Sequence, residues 1–310
     1  MIDTSRENII LDPIHIRKTG EFVIGKVNSF DQLYDPNGRF NERFLGVLGG
    51  LLPSSDLRPF RNMGGVYSKL FQPYTETGNG VNVAVKLFDK KLLNRLYYPP
   101  KVIPEDKVKE IFEQKDFILF TSHDTPPTFD ELSKEEKSFV GLAAIHRKFE
   151  KLYPGYILPS LFVAYKTEKQ IIGEKAYHSE IEELQKEDRL NSDGRRILYK
   201  PGESVFSMVQ DIQNLRGPVI YMKPTDITET DKQQVSAFIE KLEDVYEREG
   251  VYPDVGKAKF HDLYFNDKGR LVFIDTNQFG QRSEIDIVNW PFRSAVDNLR
   301  EVITSPGEAE

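Results

Sequence analysis

The chain has 310 residues, a formal net charge of −7 and no cysteine. The acidic charge argues against general binding to nucleic acid or to anionic membranes, and the lack of cysteine excludes disulfides, thiolate metal ligands and a cysteine nucleophile. The N-terminus lacks the pattern of a secretory signal and no apolar run is long enough to span a bilayer. The sequence therefore predicts a cytoplasmic protein, with enough residues for one large domain or two lobes.

The first third of the chain is predicted to be turn-rich and then strand-rich. Residues 1–60 are mixed in character and form an N-terminal extension, with a short helix around FNERFLGVLGGLL. The segments VYSKLF and VNVAVKLF are rich in β-formers, and the glycine- and threonine-containing stretch between them is typical of a hairpin connection. A polar, proline-containing stretch follows from residue 98 to residue 130.

Two later segments have the periodicity of amphipathic helices. The first, residues 134–152, begins directly after Ser133. Ser133 and Glu136 have the spacing of a capping box. The second, ETDKQQVSAFIEKLEDVYEREG, carries one apolar stripe and stops at Gly250. Between the two helices, YILPSLFVAY, RRILYK and PVIYMK are predicted to be strands, and the charged residues 167–195 to be a solvated helical or hairpin insert.

The C-terminal part is predicted to contain a hairpin and a closing helix. The segment FHDLYFNDKGRLVFIDTN places the turn NDKGR between two short apolar runs, and WPFRSAVDNLREVI has helical periodicity. The order of elements indicates an α+β fold in two lobes. We predict a strand-rich N-lobe over residues 61–223, which includes the first helix and the charged insert, and a small C-lobe over residues 224–310.

The hairpin carries a carboxylate on each arm, Asp262 and Asp275. Both are expected near its open end, side by side, where two negative charges repel unless a cation lies between them. A hard divalent ion, typically Mg²⁺ with phosphate partners, suits such oxygen ligands. Asn277 adds a neutral oxygen on the same face as Asp275 by strand alternation. The alternative is that both aspartates only end solvent-facing strands beside a turn.

The sequence resembles the protein-kinase-like phosphotransferase superfamily in two stretches. GGVYSKLF followed by VAVKLF is similar to a glycine-rich loop and the strand that bears the ATP lysine, and YPDVGKAKFHDLYFNDKGRLVFIDTN is similar to a catalytic loop, hairpin and metal-binding segment. The two predicted helices lie where the family has a helix between the lobes and a helix before the catalytic loop. The likeness covers about residues 60–280. It implies a two-lobed kinase-like fold with a reduced C-terminal lobe.

The resemblance also implies roles for individual residues. Gly64 and Gly65 would let backbone N–H groups approach phosphates, and Lys86 would hold the α- and β-phosphates. Asp275 would bind Mg²⁺, and Asp262 would occupy the position of the metal-binding asparagine. The catalytic base would be Asp254, which accepts the proton of an attacking hydroxyl. Sites of this kind bind ATP and Mg²⁺ and transfer the γ-phosphoryl group to a hydroxyl acceptor, a protein or a small molecule.

The chain departs from the family pattern at several positions. The loop from Asp254 to Asp262 is longer than usual, and strict spacing puts Lys257 at the base position. The metal-binding triplet is Asp-Thr-Asn, and the glutamate that pairs with the ATP lysine is either Glu136 or Glu150. These departures leave open a catalytically inactive, pseudokinase-like binding module.

A second resemblance, to ATP-grasp ligases, rests on the same C-terminal stretch. That family has an acidic residue ahead of an acid-x-Asn triplet, as in Asp262 with Asp275 and Asn277. ILYKPGESVFSMVQDI followed by PVIYMKP is similar to its lysine strand, flexible loop and next strand, which implies that Lys200 and Lys223 contact the nucleotide. Both resemblances imply ATP and Mg²⁺; they differ in the lysine and in the reaction.

Overall fold

The structure is a computed structural model that describes residues 52–64, 68–74, 84–88, 93, 103–113, 118–120, 127–158, 160–210, 215–219, 222, 224–253, 263–266, 269–274, 279–281 and 290–304. The helix predicted around FNERFLGVLGGLL lies almost wholly outside these residues, as does most of the predicted extension over residues 1–60. Among the described residues, no helix is both long enough and apolar enough to cross a lipid bilayer.

The described elements are runs of one to four strands separated by α-helices. The strands are β1 (Asp56–Gly64), β2 (Ser68–Tyr74), β3 (Ala84–Phe88), β4 (Ile118–Phe120), β5 (Ser160–Lys166), β6 (Ile171–Lys175), β7 (Arg195–Tyr199), β8 (Ser204–Gln210), β9 (Leu215–Pro218), β10 (Val251–Pro253), β11 (Leu263–Asn266), β12 (Leu271–Phe273) and β13 (Phe279–Gln281). The helices are α1 (Glu105–Glu113), α2 (Lys134–Leu152), α3 (Ile181–Lys186), α4 (Glu229–Glu249) and α5 (Trp290–Thr304). The predicted α+β class is confirmed.

The chain divides into two compact units. The first comprises Met1–Leu96, Phe112–Lys137 and Ser160–Asp211, and the second comprises Tyr97–Ile111, Ser138–Pro159 and Ile212–Glu310. This division differs from the predicted one, because most of helix α2 groups with the second unit and the first unit ends just after β8. The physical reason is packing within the second unit, where Tyr153 at the end of α2 contacts Phe238 of α4 at 6.2 Å between ring centroids.

The first unit is built on a six-stranded sheet. Its strand order among the described residues is β1-β2-β3-β8-β5-β4, and every neighbouring pair is antiparallel except β4 with β5. Along the chain, helix α1 lies between β3 and β4, and helix α2 lies between β4 and β5. Strands β3 and β5 are therefore not joined by a hairpin. The charged insert predicted over residues 167–195 is observed as the hairpin β6–β7 with helix α3 between its strands.

The face of the sheet that meets the insert is apolar. Its side chains come from β1, β2, β3, β5 and β8, together with Leu52 ahead of β1, and they pack with residues of β6 and β7. The buried members of this cluster are Leu52, Leu57, Phe71, Val85, Leu87, Leu161, Val163, Tyr165, Ile171, Tyr199, Val205 and Val209. Because side chains alternate along a strand, the intervening residues of β3, including Lys86, belong to the opposite face.

Local capping signals fix the starts of the two long helices. Ser133 and Glu136 form the predicted capping box of α2, with Ser133 N donating to the Glu136 carboxylate at 2.8 Å and Glu136 N to Ser133 Oγ at 3.2 Å. Helix α4 has a capping box made by Thr228 and Asp231, and it ends at Gly250 in the left-handed conformation with φ of 67°. Both predicted helices are thus confirmed, since their start and stop signals are local in sequence.

Aromatic side chains make much of the core of the second unit. Helix α5 packs on α4 through Phe292, whose ring stacks on Tyr246 with centroids 3.9 Å apart and meets Tyr252 edge-on at 4.9 Å. On another side of α4, Phe238 contacts Tyr153 and Tyr156. These stacked rings bury large apolar areas, which is the main favourable term for a unit of this size.

Several elements were not predicted. Strand β1 falls partly within the residues predicted as an extension, and helix α1 and strand β4 fall in the polar, proline-containing stretch of residues 98–130, for which no element was predicted. The strand predicted for PVIYMK is wrong in position: β9 ends at Pro218, and Met222 N donates to Val219 O at 3.2 Å in a turn. Strands of three or four residues carry little periodicity of their own and depend on their sheet partners.

The Tyr165 hydroxyl gives a test of the core beneath the insert. Tyr165 is fully buried and its hydroxyl oxygen has no hydrogen-bond partner among the described residues, while burial raises its pKa far above the ordinary value of 10.0. A buried, unpaired hydroxyl is destabilising. We expect Tyr165→Phe to raise the free energy of unfolding by about 1 kcal/mol, measured by urea denaturation. A loss of stability would contradict the observed lack of a partner.

Candidate functional site

Lys86 stands on the third strand of the sheet, on the face opposite to the insert. Its register partners are Leu70 on β2 and Met208 on β8, both apolar. The residues on either side of it in β3, Val85 and Leu87, are buried in the apolar core, whereas Lys86 is half-buried. The alternation of the strand therefore separates Lys86 from the apolar core beneath the insert.

Gly64 ends strand β1 at the turn of the β1–β2 hairpin. Gly64 on β1 pairs with Lys69 on β2, and Lys69 pairs with Leu87 on β3. Gly64 is therefore in register with Leu87, the residue next to Lys86. With a strand spacing of about 4.8 Å, the two backbone positions are roughly 10 Å apart, which a triphosphate can span. Gly65 lies outside the described residues.

The two glutamates considered as partners of Lys86 have different surroundings. Glu136 is buried, lies in the first turn of α2 and belongs to the same unit as Lys86; its carboxylate accepts a hydrogen bond from Ser133 N. Glu150 belongs to the second unit and forms an ion pair with Arg147 at 2.6 Å. The local ion pair makes Glu150 the weaker of the two candidates.

The hairpin β11–β12 is formed as predicted and is held on both sides. Leu263 pairs with Phe273, and the turn closes at Gly269, whose φ of 72° is accessible to glycine at little cost. Strand β9 pairs with β11, and on the other side Phe273 N donates to Tyr156 O at 2.6 Å while Leu158 N donates to Phe273 O at 3.0 Å. Neighbouring backbone on both edges fixes the hairpin in the second unit.

A buried carboxylate joins this hairpin to helix α4 and strand β9. Asp231 is fully buried; it accepts from Arg216 Nη2 at 2.6 Å and from Thr228 N at 2.9 Å. A Cβ atom on Gly269 would lie 3.3 Å from Asp231 Oδ1, so the hairpin turn touches the start of α4. The guanidinium of Arg216 lies 5.2 Å above the ring of Phe265 on β11.

The pKa of Asp231 reflects these contacts. Burial by itself would raise it, but the hydrogen bonds from Arg216 and from the backbone and side chain of Thr228 outweigh burial, so the pKa lies below its ordinary value of 3.8. Sequence reasoning passed over Arg216 and Asp231 as site-related residues. The sequence signal that was available is the Thr-x-x-Asp cap, which shows where the helix starts but not what packs on it.

Most of the predicted catalytic and metal-binding residues lie outside the described residues. These are Asp254, Lys257, Asp262, Asp275, Asn277 and Lys223. In the chain, Asp262 directly precedes β11 and Asp275 follows β12 by two residues, so both are attached to the anchored hairpin. Within the part of the chain that the structure describes, no three histidine, aspartate or glutamate side chains are grouped as metal ligands.

Lys200, the lysine of the ATP-grasp resemblance, is engaged in a local ion pair. Its ammonium lies 3.1 Å from Asp188 Oδ2 and donates to Glu187 O at 3.2 Å, on the turn that leaves β7. Strand β7 pairs with β6 in a two-stranded sheet rather than with the central strands. Lys200 is therefore fixed at the surface of the insert.

A surface depression of about 410 Å³ occurs elsewhere, between the outer side of α4 and Ile303 of α5. Its walls are mostly polar side chains, and none of the sequence-predicted site residues lines it.

Comparison with known proteins finds no family model that matches the chain and no significantly similar curated sequence. The chemistry of this protein is therefore inferred from its own residues.

Proposed function

We propose that the protein is an atypical, kinase-like phosphotransferase that binds ATP with Mg²⁺ and transfers the γ-phosphoryl group to a hydroxyl acceptor. The observation that carries this proposal is the placement of Lys86 on β3, which pairs antiparallel with β2 of the β1–β2 pair, where β1 ends at Gly64. A lysine on the third strand and a glycine-containing loop over the phosphates are the parts that kinase-like sites use to hold ATP.

The phosphate-binding groups in this proposal belong to β3 and to the chain at the end of β1. Lys86 neutralises charge on the α- and β-phosphates, and backbone N–H groups at the Gly64–Gly65 turn approach the phosphates closely because neither residue has a side chain. Glu136, in the first turn of α2, is the proposed partner that orients the lysine. Little covalent chemistry is required of the protein, because phosphoryl transfer depends on positioning and on charge stabilisation.

In the sequence, the proposed metal ligands adjoin the β11–β12 hairpin and the proposed base, Asp254, follows β10. The hairpin and its anchors support this assignment, because they fix the chain on either side of the metal-binding residues. Asp275, Asp262 and Asn277 would hold Mg²⁺, which bridges the phosphates and withdraws charge from them. Asp254 would accept the proton of the acceptor hydroxyl as its oxygen attacks the γ-phosphorus and ADP leaves.

Thermal-shift titration tests this proposal against the ATP-grasp alternative. Wild type, Lys86→Ala and Lys200→Ala are each titrated with ATP in the presence of Mg²⁺, since a ligand that binds the native state raises the melting temperature by mass action. We expect wild type and Lys200→Ala to respond alike and Lys86→Ala to lose most of the response. The reverse pattern supports the ATP-grasp arrangement, and the lack of a response in wild type contradicts both.

Catalysis is tested separately from binding. Incubation with ATP labelled on the γ-phosphate and Mg²⁺ is expected to release or transfer label with wild type and not with Asp254→Ala. If wild type binds ATP but neither transfers nor hydrolyses it, the protein is the pseudokinase-like binding module instead. Lys257 then explains the lost activity, because strict spacing puts a lysine where the base belongs.

A further inference from the structure

The insert β6–β7 packs directly against the strand that carries Lys86. Ile171 and Tyr199 of the insert share one buried cluster with Val85 and Leu87, the two residues that flank Lys86 in β3. Since side chains alternate, the insert covers one face of β3 and Lys86 is on the other. The insert therefore contacts the strand that carries Lys86 from the opposite face.

One long-range hydrogen bond fixes this contact at the end of the strand. The buried Tyr199 hydroxyl donates to the carbonyl oxygen of Phe88 at 2.7 Å, although the two residues are far apart in the chain. Phe88 follows Lys86 by two residues on the same strand and pairs with Ser68 near the turn of the β1–β2 hairpin. A directional bond at this point restrains both the rise and the twist of β3 beside the proposed phosphate site.

Several side-chain contacts link the parts of the insert. Arg189 forms an ion pair with Glu203 at 2.6 Å and donates to the carbonyl oxygen of Leu198 at 3.1 Å, and Arg196 forms an ion pair with Glu180. Gly173 lets the two strands approach, since a Cβ atom there would lie 3.1 Å from the Leu198 side chain. These contacts couple the strands and helix of the insert into one body that ends at Tyr199.

We propose that Tyr199 is a positioning residue for Lys86: its hydrogen bond to Phe88 holds β3 at the height at which the lysine reaches the phosphates. This inference rests on the proposed function and adds a role for the insert, which the kinase-like resemblance does not assign. It makes the insert a part of the nucleotide site that acts through the strand without touching the ligand. A positioning role requires that loss of the Tyr199 hydroxyl weakens phosphate binding when Lys86 is present and has no effect on it when Lys86 is replaced.

The test uses a matched pair of substitutions in the same core. Tyr199→Phe removes a hydroxyl that is hydrogen-bonded to β3, whereas Tyr165→Phe removes a hydroxyl from the same buried cluster that has no partner among the described residues. Dissociation constants for ATP with Mg²⁺ and for adenosine are measured by calorimetry, well below the melting temperature of each variant. Adenosine reports on the base and sugar alone, because it carries no phosphate for Lys86.

We expect Tyr199→Phe to weaken ATP binding by about threefold to tenfold, the effect of one hydrogen bond, and to leave adenosine binding unchanged. Tyr165→Phe is expected to match wild type for both ligands. In a Lys86→Ala background, Tyr199→Phe is expected to cause no further loss, because the lysine is the group that it positions. Ile171→Val, which shortens another insert side chain in the cluster, is the second variant if Tyr199→Phe does not fold.

Two results overturn the inference while the proposed function stands. One is that wild type binds ATP and Tyr199→Phe binds it equally well. The other is that Tyr199→Phe weakens ATP and adenosine to the same extent, which indicates general loosening of the unit. If wild type binds neither ligand, the proposed function itself is contradicted.

Discussion

Asp275→Ala is expected to remove most of the Mg²⁺ dependence of ATP binding. In the proposed site this carboxylate is a direct ligand of the metal, and the metal carries much of the attraction for the triphosphate. Loss even of a group that only supports a metal ligand costs about tenfold to a hundredfold in metal affinity, so loss of a ligand is expected to cost at least that much. Asp262→Ala is expected to behave in the same way, because the two carboxylates share the ion.

Calorimetric titration of ATP with and without Mg²⁺ measures this effect. The metal is expected to tighten ATP binding strongly in wild type and weakly in both variants. Asp244→Ala is a suitable control, since Asp244 is an exposed aspartate on α4 that pairs with Arg248 and Lys241. If Asp275→Ala and Asp262→Ala keep the response of wild type to Mg²⁺, the carboxylates do not share a metal and the proposed phosphate chemistry fails.

Asp231→Ala is expected to lower the free energy of unfolding by about 3 kcal/mol. The substitution removes one half of the α4 capping box, the bond from Thr228 N to the Asp231 carboxylate, worth about 1 kcal/mol, and leaves Arg216 without its buried partner, which adds a further penalty. The side chain of Arg216 is 33% exposed, so water reduces that penalty below the value for a fully buried pair. Gly269 contacts Asp231 as well, and the hairpin turn is expected to loosen with it.

The contribution of the Asp231 carboxylate to the free energy of unfolding depends on pH with a definite sign. The folded-state pKa of Asp231 lies below its ordinary value of 3.8, so the ionised carboxylate contributes stability that is fully present above about pH 4. That contribution is lost as the pH falls through the lowered folded-state pKa. The stability difference between wild type and Asp231→Asn is therefore expected to be constant from pH 5 to pH 7 and to shrink below about pH 4.

Urea denaturation at a series of pH values measures both effects. Asp244→Ala is again the matched control, because its exposed ion pairs are screened by water and its removal is expected to change stability little. If Asp231→Ala is as stable as Asp244→Ala, the contacts of Asp231 with β9, with the start of α4 and with the hairpin turn do not stabilise the fold. A difference that grows as the pH falls would show that Asp231 is protonated in the folded state.

The two long helices and the C-terminal hairpin were predictable because their signals are local. The capping box of Ser133 and Glu136, the stop at Gly250 and the turn at Gly269 each lie within a few residues of the element that they bound. Such elements gain most of their specificity from backbone hydrogen bonds and side chains of near neighbours. The α+β class follows from the order of these elements.

The candidate site was predictable only in part. Lys86 was singled out because a lysine in a β-rich run after paired glycines resembles a known arrangement; it lies on β3, and its role at a nucleotide site stays a prediction. The structural roles of Tyr199 and Asp231 were not found. Each contacts a residue distant in the chain, and no spacing or periodicity in the sequence records such a contact.

The sequence by itself therefore determined which segments form long helices and a hairpin, because these depend on neighbours a few residues away. Tertiary structure alone decided the strand order, the strand status of β1 and β4, the division after β8 and the docking of the insert on β3. Each of these depends on which distant segment supplies the hydrogen bonds and the apolar surface. A short strand has no stable conformation until that partner is in place.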